Sequence, residues 1–277
     1  MSMGRRTMNG RFAGKCAIVT GGSSGIGLAV VEELCAEGAA VVFTCLEERE
    51  GREVERRLRQ SGLRAHYVQG DMGDEAFCRR CVAEAAAAMG AVHYLVNNAF
   101  SFVGRGLEAG ADDWARSYGV GPIGYARMAQ HCAPHMQSAG GGAIVNVSSI
   151  SAHIAQPQRW TYNSAKGAVH AMTKCQALDL APYGIRVNSV SPGWIWTRET
   201  DRSAGLDGGG RDKWEPIWGA FHMLARCGEP AECAGPILFL LSDDASFVTG
   251  ADLPVDGGYL ALGPEGLGRH TVNVGSE

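Results

Sequence analysis

Short apolar runs alternate with longer amphipathic ones along most of the 277 residues, and few architectures tolerate that pattern. Ala17-Ile-Val-Thr20, Val41-Val-Phe-Thr44, His66 to Val68, Tyr94-Leu-Val-Asn97, Ala143-Ile-Val-Asn-Val147, Ile185-Arg-Val-Asn-Ser-Val190 and Asp252 to Val255 read as strands. Between them, helical periodicity covers Ile26 to Glu37, Glu50 to Ser61, Glu75 to Met89, about Trp114 to Gln137, about Tyr162 to Ala181, and Pro230 to Leu241. Residues 198–228, rich in glycine, tryptophan and charge, lack periodicity and read as an irregular flap able to close over a site. Strands apolar on both faces and separated by helices predict an α/β fold, a doubly wound parallel sheet with helices on both faces. No linker divides the chain, so a single domain is expected over residues 12–262, with a flexible 1–11 before it. The segment 263–277 has no periodicity and reads as a tail, either disordered or, the reading favoured, reaching toward a neighbouring subunit's pocket.

Charge and apolar content exclude several roles. Lys and Arg number 25 against 29 Asp and Glu, so no positive excess exists to hold nucleic acid or an anionic membrane surface. The run Pro236-Ile-Leu-Phe-Leu-Leu241 falls far short of the roughly 20 apolar residues of a spanning helix. Met1 to Arg11 carries three arginines without the apolar core of a signal peptide, so a cytoplasmic location is expected. Nine cysteines, an odd number, fit reduced thiols. Cys78 and Cys81 have CxxC spacing, but they sit in a helix-like run without a second pair or a nearby histidine. Core packing is therefore expected there, and no metal site.

The first strand runs into Thr20-Gly-Gly-Ser-Ser-Gly-Ile-Gly27, and a helix follows. At such a turn, residues without a Cβ let the backbone approach a pyrophosphate, and the free amides of the helix start favour its charge. Gly21, Gly25 and Gly27 supply that room. Later, Tyr162 and Lys166 stand four apart on a predicted helix, so both can point into one cleft. A phenol is a poor base at neutral pH, and a neighbouring ammonium favours its ionised form.

The TGxxxGxG turn, Asn97-Asn98-Ala99 and Tyr162-Asn-Ser-Ala-Lys166, in this order, resemble the short-chain dehydrogenase/reductase family. Asp71, Asn146-Val-Ser-Ser149, Pro192-Gly193 and Val255-Asp-Gly-Gly258 extend the resemblance over about residues 12–262. It implies a Rossmann-like sheet of about seven parallel strands with NAD(H) or NADP(H) along its C-terminal edge. It also implies a homotetramer or homodimer. By the same resemblance the cofactor would meet Gly21, Ser23, Ser24, Gly25, Ile26, Gly27, Asp71, Met72, Asn98, Ala99, Tyr162, Lys166, Pro192, Gly193, Ile195 and Thr197. Ser149, thirteen residues before Tyr162, would hydrogen-bond the substrate oxygen. Tyr162 would be the acid/base, and Lys166 would lower its pKa and hold the nicotinamide ribose.

Two positions depart from the family pattern. Val120-Gly-Pro-Ile-Gly124 puts Gly121 where the family carries a fourth catalytic residue, an asparagine that kinks its helix and holds a water beside the lysine. Gly121 and Pro122 are expected to supply the kink. Phe100 stands where glycine more often follows Asn-Asn-Ala. At the end of the second strand Cys45 replaces the acidic residue that would bond the adenosine ribose, and Leu46 follows. Glu47 and Glu48 oppose a 2′-phosphate while Arg49 counters them, which favours NAD over NADP.

Family resemblance places the substrate walls between Ser149 and Tyr162, after Pro192, and in residues 198–228. His153, Arg159, Trp160 and Trp194 are the candidates, beside Gln156, Gln158, Trp196, Trp214 and Trp218. Aromatic faces with hydrogen-bonding groups suit a small polar or cyclic substrate or an aryl carbinol, and Arg159 can pair with a carboxylate. The expected activity is an NAD(P)-dependent interconversion of a secondary alcohol and a ketone. The alternatives are a cofactor-binding regulatory paralogue with weak turnover, motivated by Gly121, and a reductase of C=C or imine bonds on the same scaffold.

Overall fold

Period-2 alternation along each strand builds two apolar cores, one on each face of a single sheet. In β1 (Cys16–Val19) Ala17 and Val19 point to one core and Ile18 to the other. In β2 (Ala40–Cys45) Val41 and Phe43 oppose Val42, and in β4 (Tyr94–Asn97) Tyr94 and Val96 oppose Leu95. The same rule holds in β5 (Gly142–Val147), where Ala143, Val145 and Val147 face away from Ile144. With β3 (Ala65–Gln69), β6 (Ile185–Pro192) and β7 (Asp252–Val255) they form a seven-stranded, all-parallel sheet of order β3-β2-β1-β4-β5-β6-β7. The computed structural model describes residues 10–206, 208–263 and 266–267. The expectations for 1–11 and for the tail 263–277 fall almost wholly outside the described residues.

Helices α1 (Gly25–Ala36), α2 (Glu48–Gln60) and α9 (Pro230–Leu241) cover one face. On the other lie α3 (Glu75–Met89), α5 (Gly124–Ser138) and α6 (Trp160–Leu180). The fold is the expected Rossmann-like one. Cys78 and Cys81 are fully buried in the second core, where burial pushes their thiols up to about 11 and about 12. The order reverses between β1 and β4, and the crevice at that switch point opens at the carboxyl ends of the strands.

Two expectations need correction. The helix read from Trp114 to Gln137 is two helices, α4 (Ala111–Tyr118) and α5, joined by a π turn at Gly119–Ile123. Gly121 leaves helical geometry there with ψ −111°, and Pro122 has no amide to donate. Residues 198–228 are not irregular throughout: they contain α7 (Arg198–Leu206) and α8 (Gly210–Gly219). Their apolar residues are too sparse to show a period, yet Ala204 and Trp218 join Trp196 and Cys227 in a small separate core.

Candidate active site

The glycine turn after β1 is braced from β4. Thr20 Oγ1 accepts from the amides of Asn98 (2.9 Å) and Ala99 (3.0 Å), and Asn98 Nδ2 donates to the carbonyls of Thr20 (3.0 Å) and Gly21 (3.1 Å). Asn98, expected as a cofactor contact, thus spends its amide on the turn itself. Gly21 has φ +67°, and a Cβ on Gly27 would lie 2.1 Å from the Gly21 carbonyl oxygen. Ser24 precedes α1 in an extended conformation and makes no side-chain cap bond. Amides at a helix start, in a cradle that a Cβ would fill, fit a dinucleotide pyrophosphate. Gly21, Ser23, Ser24, Gly25, Ile26, Asp71, Met72, Asn98, Ala99 and Thr197 all line the cleft here, while Gly27 packs behind it.

At the far end of this cleft lie Cys45, Leu46, Glu47 and Glu50. Glu48 turns away to pair with Arg52 at 2.8 Å, and Arg49 is not among the lining residues. Glu50, which the sequence did not single out, meets Ser23 Oγ at 3.5 Å and pairs with Arg198 from α7.

The second half of the cleft encloses about 320 Å3 and gathers Ser149, Tyr162 and Lys166 with Pro192, Gly193, Ile195 and Thr197. Ser149 lies two residues past β5 and caps a short 3-10 turn, where its Oγ accepts from the Ser151 amide at 3.1 Å. Tyr162 stands in the first turn of α6, and Lys166 one turn on. A buried amide ladder sets that helix against the sheet. Asn97 Nδ2 donates to Asn146 Oδ1 (2.9 Å), and Asn146 Nδ2 donates to Thr173 Oγ1 and Gln176 Oε1 of α6 (both 3.0 Å). Asn163 Nδ2 ties α6 to the Ile154 carbonyl at 2.9 Å.

Burial pushes the Tyr162 phenol up, while its hydrogen bond with Ser149 and the charge of Arg159 pull it down. Burial alone pushes the Lys166 amine down to about 7. Lys166 Nζ donates to the Val147 carbonyl at 2.8 Å and lies 3.9 Å from the centroid of the Phe100 ring and 5.9 Å from that of Tyr162. The Tyr162 ring is held edge-on by Phe100 at 5.3 Å and stacks with Phe102 at 5.7 Å.

Of the expected substrate contacts, Arg159, Gln156, Trp194 and Trp218 line this half of the cleft. Trp194, Trp218 and Trp214 form a stack, with neighbouring centroids 4.8 and 5.1 Å apart, and Trp196 leans on it. His153 and Trp160 do not line it. His153 Nε2 bonds Ser191 Oγ (3.3 Å) and Asp252 Oδ2 (3.2 Å) beside His170, pinning the segment after Ser149 to β6 and β7. Trp160 is largely exposed and Gln158 is also outside the lining. Phe102, Glu199, Thr200 and Ser203 line the cleft without having been expected. The last three lie on α7, and with that helix unrecognised nothing in the sequence aligned them on one face.

A dinucleotide-type sheet whose cleft unites a glycine turn with serine, tyrosine and lysine side chains defines a nicotinamide-dependent oxidoreductase. The chain belongs to the short-chain dehydrogenase/reductase family. A family model described as Enoyl-(Acyl carrier protein) reductase matches residues 21–260. The chain is 39% identical over 257 residues to cis-4-hydroxycyclohexanecarboxylate dehydrogenase of Sinomonas cyclohexanicum, covering 92% of this chain and 100% of that one. It is 36% identical to 3-alpha-(or 20-beta)-hydroxysteroid dehydrogenase of Mycobacterium tuberculosis (92% of each chain). Identity to cyclopentanol dehydrogenase of Comamonas testosteroni is 35% (91% of this chain, 99% of that one). The protein is an oxidoreductase acting on CH–OH donors with NAD(P)(H). Among the described residues no helix is long and apolar enough to cross a membrane.

Proposed function

We propose that the chain interconverts a secondary alcohol on a small ring with the corresponding ketone, using Tyr162 as acid/base. The observation that carries this reading is the convergence of Ser149, Tyr162 and Lys166 on one cleft continuous with the glycine turn. The bound nicotinamide supplies the hydride acceptor in oxidation and the donor in reduction. In oxidation the ionised Tyr162 takes the hydroxyl proton as hydride leaves the carbinol carbon; in reduction the phenol returns that proton to the new alkoxide. Ser149 Oγ hydrogen-bonds the reacting oxygen and aims it at the phenol. Charged Lys166 favours the phenolate against the burial that opposes it. The rings of Phe100, Phe102 and Trp194 pack an apolar ring and exclude water.

Two finer points belong to the same reading. Glu47 and Glu50 at the adenosine end would repel a 2′-phosphate, which favours NAD. Arg159 lines the cleft with no carboxylate partner among the described residues, which favours a ring that carries a carboxylate. The name of the relative from Sinomonas, a hydroxycyclohexanecarboxylate dehydrogenase, supports that choice. A homotetramer or homodimer fits the strongly exposed Leu178 on α6 and Phe247, apolar side chains that an interface would cover. The alternative of a cofactor-binding protein without turnover rested on Gly121, yet the helix kink forms there without the asparagine.

The test follows reduced nicotinamide by absorbance, with NAD and NADP separately, against cyclic alcohols, hydroxylated ring carboxylates, sugars and polyols. Turnover of a cyclic alcohol that Tyr162→Phe abolishes is the expected result. Cofactor binding without turnover of any alcohol overturns it, and full activity in Ser149→Ala points instead to reduction of a C=C or imine bond.

A further inference from the structure

Both departures from the family pattern meet at one point beside Lys166. A Cβ built on Gly121 would lie 2.5 Å from Cε2 of Phe100 and 3.2 Å from Cδ2 and Cζ, so the Phe100 ring fills the space into which a side chain at 121 would project. The kink at 121 is met by the backbone, through the π turn and buried Pro122. What the missing asparagine leaves open is therefore the space next to the lysine, and an aromatic ring from the loop after β4 occupies it.

That ring touches both members of the proton-transfer pair. Lys166 Nζ sits 3.9 Å from its centroid, and the Tyr162 ring meets it at 5.3 Å with an interplanar angle of 82°. The other groups facing Nζ are Tyr162 on its own helix, Tyr125 from α5 at 5.9 Å and the Val147 carbonyl at the end of β5. Among the described residues no carboxylate pairs with it. A buried cation without a counter-ion gains from an aromatic face, and the gain grows as water is removed.

We propose that Phe100 is a positioning residue for the reaction, its π face holding Lys166 charged and in place beside Tyr162 where the family uses a polar side chain at 121, with Gly121 as the residue that admits the ring. The inference rests on the reading of Tyr162 and Lys166 as the proton-transfer pair. Position 100 and position 121 are then a matched set, and neither family residue can be restored alone. An asparagine at 121 collides with the ring, and a glycine at 100 leaves Lys166 over a void.

Phe100→Leu, which keeps apolar bulk without a π face, tests the idea with Phe100→Met as a second such variant. Lysine side-chain NMR, with the Lys166 signal assigned by Lys166→Met, reads the titration midpoint of Lys166 without any substrate. Loss of the ring face should lower that midpoint by about half to one pH unit. In alcohol oxidation the acid limb of kcat/KM should move up in pH, because a less charged Lys166 supports the Tyr162 phenolate less. Gly121→Asn alone should lose about tenfold or more in turnover, and the double variant F100G/G121N should recover most of that loss. An unchanged Lys166 midpoint in both Phe100→Leu and Phe100→Met, or a double variant no better than Gly121→Asn, overturns the proposal. Undiminished turnover in Tyr162→Phe or Lys166→Met would instead overturn the reading of the pair, and the NMR midpoint would still decide whether Phe100 supports Lys166.

Discussion

The guanidinium carbon of Arg159 lies 5.9 Å from the centroid of the Tyr162 ring, in the cleft that also holds Ser149. Its charge pulls the phenol toward ionisation, and among the described residues it has no carboxylate partner. A ring acid whose hydroxyl faces Tyr162 would give Arg159 the anion it lacks. Arg159→Gln should raise KM for a hydroxylated ring carboxylate by about tenfold or more, the range of a charge-assisted hydrogen bond. Uncharged cyclic alcohols should keep their KM and lose only a little in kcat. Equal KM increases for charged and neutral substrates would show that Arg159 does not read the carboxylate.

At the other end of the cleft the proposed preference for NAD rests on two carboxylates. Glu47 and Glu50 line the part of the cleft proposed for the adenosine, and Arg198 is paired with Glu50. NAD should bind about tenfold or more tightly than NADP by calorimetry, and Glu47→Arg combined with Glu50→Gln should narrow the gap. Tighter binding of NADP by the parent would remove this account.

Lys166 makes the site at the expense of stability. The amine is buried and titrates at about 7, whereas in an unfolded chain it titrates near 10.4. Between those values the native state binds fewer protons than the unfolded one, so stability rises as pH rises from about 7 toward 10. Below pH 7 both states are charged and the full desolvation penalty applies. Lys166→Met should therefore stabilise the inactive protein by about 1–3 kcal/mol at pH 7, after allowing for the lost bond to the Val147 carbonyl. The advantage should shrink as pH approaches 10. Denaturant melts at several pH values check this, and a variant less stable than the parent at pH 7 counts against it.

Elements with a strong local signal were legible in the sequence. Strand alternation, the glycine turn and the ordered motifs around Ser149, Tyr162 and Lys166 led to the observed sheet and to the residues gathered in its cleft. What escaped depends on contacts distant in sequence. Gly121 and Pro122 predict a kink, but the π turn that divides the helix in two shows only in the backbone angles. Helix α7 has too few apolar residues to show a period, and its Glu199, Thr200 and Ser203 reach the cleft only once the chain is folded. His153 lies in the segment expected to wall the substrate, but Asp252, 99 positions away, draws it to the other side. The fit between Phe100 and Gly121 likewise joins two positions that each looked like a separate departure.

The glycine turn offers a contrast between two neighbouring positions that a merely permissive loop would not show. Gly27 has no room for a Cβ: the atom would stand 2.1 Å from the Gly21 carbonyl oxygen and 2.5 Å from Asn98 Nδ2. Backbone cannot yield there without breaking the bonds from Asn98 to Thr20 and Gly21 that hold the turn. Gly27→Ala should therefore cost about 2–4 kcal/mol and abolish dinucleotide binding. Ser24 is different, because its side chain makes no cap bond to α1. Ser24→Ala should leave stability within about 0.5 kcal/mol and weaken the dinucleotide by no more than about tenfold, since the backbone amides at the helix start remain. Thermal melts and cofactor calorimetry on the two variants measure both effects. Equal damage from the two would mean that the Ser24 hydroxyl, rather than the turn geometry, carries the phosphate.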